Sequence, residues 1–314
     1  MEKRGFIKYL EGKNLAKATQ EEYISNTKLF FNWIKTEDIQ VTKPDILRYL
    51  EHLKNKGLQN VTRRNHLNSL NHYFTFLYQN EQITENPCLL LKIRGTNKTK
   101  LHKIYTSEEL DELFDAYYQL FVRHYDDSRH RHEGQKQYSA LGRERNAVIL
   151  SVLIHQGINT KEIGRIENDD LDFIKATIKV RGGKRLKERI LPLKASQIGL
   201  LMQYLQNIRP QLSEYQTTES NKLFLPLPAI GKKKTNGDTL ESLFYTLVMQ
   251  VKSINKQFIN FQQVRASVIT FWIKTQGLRK AQHLAGHRCI NTTEKYVTNN
   301  LDGLTDDINK LHPF

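Results

Sequence analysis

The chain has 314 residues, 39% of them hydrophobic, and a formal net charge of +15 with an isoelectric point near 9.6. This size indicates about two domains, and without an apolar run of roughly 18 residues or a charged-then-apolar leader we expect a soluble intracellular protein. The basic excess predicts a polyanionic partner, with nucleic acid as the leading candidate. The spacing of Cys88 and Cys289 excludes a disulfide framework or a zinc knuckle, and two such cysteines suit a reducing cytoplasm.

The first 94 residues are predicted to form an all-helical domain. Apolar residues at helical spacing indicate four helices, at about residues 3–11, 20–35, 43–56 and 60–80. Two of these carry start signals, which are a capping box at residues 19–22 and Pro44 in the first turn of the third helix. The aromatic stretch at residues 73–78 is interpreted as core rather than as a platform for stacking bases.

A polar, lysine-rich stretch at residues 95–103 is predicted to be a linker, so that a second domain spans residues 104–314. That domain opens with a capping box from Thr106 to Glu109. Residues 122–143 are predicted to form an exposed charged loop. His130 and His132 within it could ligate a metal, but they have no third partner nearby and are interpreted as solvated.

Two β-like runs, residues 176–181 and 188–193, flank a basic glycine-containing segment and predict a hairpin with a basic tip. Helices are expected from about residue 194 to the end. A short amphipathic helix over about residues 301–312 is indicated by Leu304, Ile308 and Leu311. The predicted fold is therefore mainly α, with a helical domain followed by a mixed α+β domain that contains a small antiparallel sheet.

The last third of the chain carries the motif on which the functional interpretation depends. Residues 281–287 read AQHLAGH, Tyr296 follows His287 by nine residues, and Arg265 lies about one helix upstream. A phenol can attack phosphorus only if cations and hydrogen-bond donors stabilise the charge that develops on the phosphate oxygens. This arrangement resembles the tyrosine recombinases, the family of phage integrases, Cre and the Xer proteins.

The resemblance covers nearly the whole chain and implies a four-helix core-binding (SAM-like) clamp domain followed by the catalytic domain. It implies that Tyr296 is the nucleophile, that Arg265 binds the scissile phosphate through its guanidinium fork, and that His287 donates to the same phosphate. His283, one turn before His287, is interpreted as a surface or packing residue. In the hairpin turn the family places a lysine that protonates the leaving 5′ oxygen, a role that falls on Lys184, with Lys187 as the rival.

The chain departs from the family at two positions. Gln262 stands where the family usually has the histidine of its His-x-x-Arg box, and an amide can donate a hydrogen bond but carries no charge. Asn159 stands where the first catalytic arginine is expected, either as a helix cap alone or as a cap that also contacts phosphate. Lys161 and Arg165 are the candidates for compensating that loss.

By resemblance the reaction is a transesterification that passes through a 3′-phosphotyrosyl link and needs no metal or nucleotide cofactor. The expected partners are double-stranded DNA and three further copies of the chain in a synaptic tetramer, with accessory DNA-bending proteins as further candidates. Arg63 and Arg64, near the start of the fourth helix, are candidate DNA contacts, although they could simply be solvated. The tail at residues 301–314 could dock on a neighbouring subunit or on its own domain.

Two other functions compete with recombination. The first is a DNA-binding regulator or accessory subunit in which Asn159 and Gln262 have weakened catalysis. Like the enzyme, such a protein is expected in the cytoplasm in association with the nucleoid. The second is a metal-dependent nuclease or an unrelated helical DNA-binding protein. The adjacent pairs Asp126–Asp127 and Asp169–Asp170 do not favour a nuclease, because neighbouring side chains on one element point in different directions and build no two-metal site unaided.

Overall fold

The computed structural model describes residues 3–35, 38–95, 103–126, 133–184, 186–228 and 240–297. The chain divides into two compact units, residues 1–99 and 100–314, and each has its own hydrophobic core. The first unit is helical and the second combines helices with one small antiparallel sheet, so the predicted fold class is confirmed. No helix within the described ranges is long and apolar enough to cross a membrane.

The described part of the first unit contains the four predicted helices. They are α1 (Lys3–Gly12), α2 (Lys17–Ile34), α3 (Lys43–Asn55) and α4 (Asn60–Gln79). The start signal of α3 is confirmed, because Pro44 lies in its first turn. The Asp45 carboxylate also accepts a hydrogen bond of 2.8 Å from the backbone N–H of Thr42. The capping box predicted at residues 19–22 is wrong. Helix α2 already begins at Lys17, and its N-cap, Ala16, has no side chain that could have marked the boundary.

The core of this unit is dominated by aromatic side chains. Tyr73 and Phe74 of α4 are fully buried, and the Tyr73 ring meets Phe6 of α1 edge-on with 5.0 Å between centroids. Phe76 is buried beside them, whereas Tyr78 at the end of the stretch is 53% exposed. The prediction that the aromatic stretch forms core is thus confirmed for these three residues and fails for Tyr78.

The second unit is built from nine α-helices and three strands within its described residues. The helices are α5 (Ser107–Tyr117), α6 (Glu133–Gln156), α7 (Thr160–Ile163), α8 (Ala195–Gln203), α9 (Arg209–Ser213), α10 (Glu241–Ile254), α11 (Phe261–Gln276), α12 (Leu278–Ala285) and α13 (Ile290–Glu294). The strands are β1 (Leu171–Asp172), β2 (Thr177–Val180) and β3 (Arg189–Pro192). Turns of π-helix extend α5 over Tyr118–Arg123 and join α8 to α9 over Tyr204–Ile208.

The capping box predicted at the start of α5 is confirmed, with the Thr106 hydroxyl accepting from the Glu109 backbone N–H over 3.2 Å. The exposed loop predicted over residues 122–143 is wrong in its second half, because α6 begins at Glu133. The polar residues at the start of α6, such as Gln135 and Gln137, are exposed on the helix surface, so they carry no apolar pattern that would reveal the helix, whereas polar residues further along it are buried. The buried Arg143, for example, donates through Nη1 to the Ser139 hydroxyl over 2.6 Å.

The predicted hairpin is confirmed, since β2 and β3 pair in antiparallel register with Ile178 opposite Leu191. Both of these side chains are buried, as expected for the face of a sheet that packs on helices. The third strand, β1, pairs with the other edge of β2 and was not predicted, because two residues are too few to show an alternating pattern. The order of the sheet is β1-β2-β3.

Candidate active site

Helix α11 carries Arg265 into the interior of the second unit. The helix starts at a strong cap, where Asn260 Oδ1 accepts from the backbone N–H of Gln262 over 2.9 Å. The Arg265 side chain is held at both branches of its fork, because Nη1 donates to the Gly157 carbonyl over 2.7 Å and Nη2 to the Ala285 carbonyl over 2.8 Å. The residue is only 7% exposed, so these bonds fix the direction of its guanidinium.

A buried carboxylate joins Arg265 to a second arginine. Glu162 Oε2 lies 3.3 Å from Arg265 Nη1, and Glu162 Oε1 lies 2.6 Å from Nη1 of Arg189 on β3. Burial lowers the pKa of Arg265, and the Glu162 charge opposes that shift. Two guanidinium groups share one carboxylate, which leaves one net positive charge in a largely buried site.

Sequence reasoning did not assign Glu162 or Arg189 to the site. In the sequence, Glu162 stands three residues after Asn159 and suits an N-cap pattern, and Arg189 lies within the second β-like run, so neither suggests a site residue. The sequence does contain one indication for Arg189. It lies two residues before Leu191 on β3, and side chains two residues apart on a strand point to the same face, so Arg189 points to the buried face. An arginine at an inward position needs a buried acidic partner, and Glu162 supplies it.

His287 follows the left-handed Gly286 that ends α12. Its Nε2 is 3.3 Å from Arg265 Nη2, and its Nδ1 is 2.9 Å from the Thr293 hydroxyl. Because a guanidinium can only donate, Nε2 must accept and the ring proton lies on Nδ1, which donates to Thr293. Burial and then the nearby charge of Arg265 lower the pKa of His287 to about 4, so the imidazole is neutral near pH 7.

Tyr296 lies just after α13 and is partly exposed. Its ring stacks on His287, with 5.8 Å between centroids and planes 13° apart. Its backbone N–H donates to the Thr293 carbonyl over 3.0 Å, so the turn that supports His287 also supports Tyr296. Burial lowers the pKa of Arg265, and the nearby Tyr296 side chain is among the groups that oppose this shift.

These side chains surround one cleft of about 440 Å³. It is lined by Asn159, Thr160, Lys161, Phe261, Gln262, Arg265 and Tyr296. The structure therefore brings together five of the predicted site residues, with His287 packed against two of them. Asn159 caps α7 as expected, since its Oδ1 accepts from the Glu162 backbone N–H over 2.9 Å. That bond leaves its amide nitrogen for the cleft.

Lys184 lies at the edge of this arrangement and not in the cleft lining. It is an exposed residue in the tight turn after β2, which is closed by a hydrogen bond of 2.9 Å from Gly183 N–H to the Leu186 carbonyl. The turn is anchored beside the site, because the N–H of the rival Lys187 donates to the Gly286 carbonyl over 2.8 Å. The turn that carries Lys184 is thus tied by backbone contacts to the segment that carries His287.

Two arginines from other elements reach the same turn. Arg165, which follows α7, places Nη1 3.4 Å from the Gly182 carbonyl, and Arg288 places Nη2 3.4 Å from the Gly183 carbonyl. Both arginines are exposed. The turn that carries Lys184 is therefore flanked by cations on both sides.

The remaining predicted residues lie elsewhere. In the first unit, Arg63 donates through Nε to the Leu50 carbonyl and through Nη1 to Asn60 Oδ1, each over 3.1 Å, and so ties α3 to α4. Arg64 is partly exposed next to it, and a DNA contact by either arginine stays a prediction. His283 is exposed, as expected for a surface residue.

Some predictions cannot be compared with the structure. His130, His132 and the tail helix at residues 301–312 lie outside the described residues. Within the described residues, no three His, Cys, Asp or Glu side chains form a group that could hold a metal ion.

Comparison with known proteins gives a consistent picture along the chain. The Phage integrase family matches residues 135–302, and the phage integrase N-terminal SAM-like domain matches residues 4–84. Tyrosine recombinase XerC of Bacillus licheniformis is 28% identical, with 98% of this chain and 95% of that protein covered. XerC of Listeria innocua is 27% identical, with 100% and 97% covered.

Solved structures share the fold. XerH site-specific recombinase bound to a palindromic difH substrate superimposes with a TM-score of 0.67 at 18% identity, over 95% of this chain and 81% of that one. A lambda integrase dimer bound to a COC′ core site gives a TM-score of 0.58 at 15% identity, over 94% and 93%.

Proposed function

The chain belongs to the phage integrase family of tyrosine recombinases, and from this premise we propose that Tyr296 is the nucleophile with which it cleaves and rejoins DNA. The protein is a tyrosine-type site-specific recombinase. One observation carries the assignment of the residue: Tyr296 and Arg265 line the same cleft, with His287 stacked on one and hydrogen-bonded to the other. In this position the Tyr296 phenol would lie next to a phosphate bound by the Arg265 guanidinium.

The proposed step balances without an added cofactor. The Tyr296 hydroxyl attacks the scissile phosphorus, the bond from phosphorus to the 5′ oxygen breaks, and a 3′-phosphotyrosyl link forms. The phenol proton is lost to solvent, since a histidine with a pKa near 4 is a weak base. The Lys184 ammonium protonates the leaving 5′ oxygen, with Lys187 as the alternative donor. The 5′ hydroxyl of a partner strand then attacks the phosphotyrosyl link, which rejoins the DNA and releases the Tyr296 hydroxyl.

The other cleft residues stabilise the pentacoordinate phosphate. Arg265 donates to a non-bridging oxygen, and its bonds to two backbone carbonyls mean that little reorganisation is needed when charge develops. His287 donates to a second oxygen, a step in which its ring proton moves to Nε2 and the hydrogen bond from Arg265 Nη2 is given up. Gln262 and Asn159 contribute neutral amide donors, which are weaker than charged ones.

We further infer that the chain binds double-stranded DNA and works as a homo-oligomer. The net charge of +15 supports a polyanionic partner. Among structural relatives, XerH is bound to its difH substrate and lambda integrase forms a tetramer on a Holliday junction. We propose a synaptic tetramer in the cytoplasm, associated with the nucleoid and assisted by DNA-bending proteins. Arg63, Arg64, Lys161 and Arg165 would contact phosphates, and residues 301–312 would dock on a neighbour or on their own domain.

Covalent trapping tests the central assignment. The native protein and Tyr296→Phe are incubated in EDTA with nicked duplexes taken from the DNA that flanks the gene, and denatured samples are examined for a protein–DNA adduct. We expect an adduct with the native protein and none with the variant. DNA binding without an adduct from either protein would overturn the proposal and favour a DNA-binding regulator. An adduct from both would overturn the choice of Tyr296.

A further inference from the structure

The cleft around Tyr296 holds less positive charge than its chemistry requires. Attack on phosphorus builds negative charge on the non-bridging oxygens, and each well-placed donor is worth about 10²–10³ in rate. Asn159 stands where the resemblance predicts the first catalytic arginine, and its amide is neutral. Arg265 shares its charge with the buried Glu162, and His287 is neutral near pH 7. Leaving Lys161 aside, the described lining of the cleft therefore supplies one cation fewer than the reaction would use.

Lys161 occupies the position from which this charge can be supplied. It lies on α7, two residues after the Asn159 cap, and it lines the same cleft as Arg265 and Tyr296. Its side chain is exposed, and it makes no hydrogen bond or ion pair with another described residue. An ammonium on a flexible stem can move onto a phosphate that enters the cleft without giving up a bond within the described part of the protein.

Apart from Arg265, the other cations near the site do not line the cleft, and Lys184, Lys187 and Arg288 belong to the hairpin turn or lie against it. Arg165 lies against the Gly182–Gly183 turn, with Nη1 3.4 Å from the Gly182 carbonyl, and it is not part of the cleft lining. Arg189 is paired with Glu162 and is 1% exposed, so a phosphate cannot reach it while β3 stays in place. Position and availability together single out the lysine.

We propose that Lys161 binds a non-bridging oxygen of the scissile phosphate and replaces the arginine that is missing at position 159. This inference rests on the proposed function, because it assumes that Tyr296 attacks a phosphate in this cleft. The capped α7 holds the residue at a fixed distance from Arg265, since Glu162 on the same helix binds that arginine. Arg265 and Lys161, which both line the cleft, then bind the phosphate together, with the Asn159 amide as a neutral third donor.

The test is the single-turnover rate of adduct formation on the nicked duplex, with protein in excess so that all DNA is bound. Lys161→Met keeps the length of the side chain and removes its charge, while Lys161→Arg keeps the charge. Lys252→Met, on the exposed side of α10, controls for the loss of one positive charge from the protein. We expect Lys161→Met to slow the adduct by about 100-fold, with Lys161→Arg within about fivefold of native and the control unchanged.

Equilibrium binding to the same duplex separates catalysis from affinity. We expect the affinity of Lys161→Met to fall less than about tenfold, as for the loss of one phosphate contact among several. The inference is overturned if Lys161→Met forms the adduct within threefold of the native rate, if Lys161→Arg is as slow as Lys161→Met, or if Lys252→Met is equally slow. If the native protein forms no adduct at all, it is the proposed function that fails.

Discussion

Glu162 and Arg189 form an ion pair of 2.6 Å in which both side chains are 1% exposed. The other oxygen of the same carboxylate accepts from Arg265, so one acidic group neutralises part of two buried positive charges. It also accepts from the Asn159 backbone N–H and completes the cap of α7. The candidate site is therefore assembled around Glu162, which binds both arginines and the cap of α7.

Removing this charge should destabilise the second unit strongly. In Glu162→Gln two guanidinium groups stay buried without a counter-charge, and we expect the free energy of unfolding to fall by about 3–5 kcal/mol. The matched control is Glu188→Gln, which removes an exposed carboxylate 3.1 Å from Lys179 and should cost less than about 1 kcal/mol. Urea unfolding followed by Trp272 fluorescence in a Trp33→Phe background measures both. Equal losses would contradict the central position of Glu162.

Gly286 offers a second test of how the site is built. It has φ +71, and a Cβ there would lie 2.7 Å from Arg189 Nη1 and 2.9 Å from the Lys187 carbonyl oxygen. Gly286→Ala must therefore separate α12 from the hairpin and displace His287, and we expect adduct formation to fall at least about tenfold with a stability loss above about 2 kcal/mol.

Gly57→Ala is the control, because Gly57 also has positive φ but no atom within 4 Å of the added Cβ. Only backbone strain of about 1 kcal/mol should result, with the adduct rate unchanged. If Gly286→Ala behaved like this control, the contact between the hairpin and the His287 segment would not matter for catalysis.

The sequence reveals the candidate site residues more readily than the contacts that hold them. Tyr296, Arg265 and His287 stand at characteristic spacings on consecutive elements, and the structure brings them together. Glu162 acts through contacts between α7, β3 and α11, which are far apart in the chain, so no local pattern reveals it. The start of α6 was missed for a different reason, because residues such as Gln135 and Gln137 are exposed and polar and form no apolar pattern at helical spacing.

Acid should weaken the second unit through its buried histidines. Burial lowers the pKa values of His287 and His155 to about 4, whereas the unfolded chain has about 6.5. Below pH 6.5 these histidines bind protons in the unfolded state but not in the folded state. The free energy of unfolding therefore falls as the pH drops towards 4 and does not change with pH above 6.5. Each histidine should remove about 2 kcal/mol between pH 7 and pH 5.

The measurement is the difference in unfolding free energy between pH 7 and pH 5, again followed by Trp272. We expect His155→Gln and His287→Gln each to reduce this difference by about 2 kcal/mol. The exposed His283→Gln should leave it unchanged. A pH dependence that is the same in all three variants would show that other groups cause the acid effect.

The choice between Lys184 and Lys187 as general acid depends on the leaving group and can be tested through it. A thiolate leaves without being protonated, so a duplex with sulfur in place of the bridging 5′ oxygen makes the acid unnecessary. On ordinary DNA we expect Lys184→Ala to form the adduct about 10²–10⁴ times more slowly than the native protein, which is the typical contribution of a general acid. On the sulfur substrate we expect the same variant to react at nearly the native rate. Lys187→Ala should show a small effect that is the same on both substrates.

The opposite pattern, with rescue confined to Lys187→Ala, would transfer the role of general acid to that lysine. Loss without rescue in Lys184→Ala would mean that the turn contributes to the shape of the site and not to proton transfer.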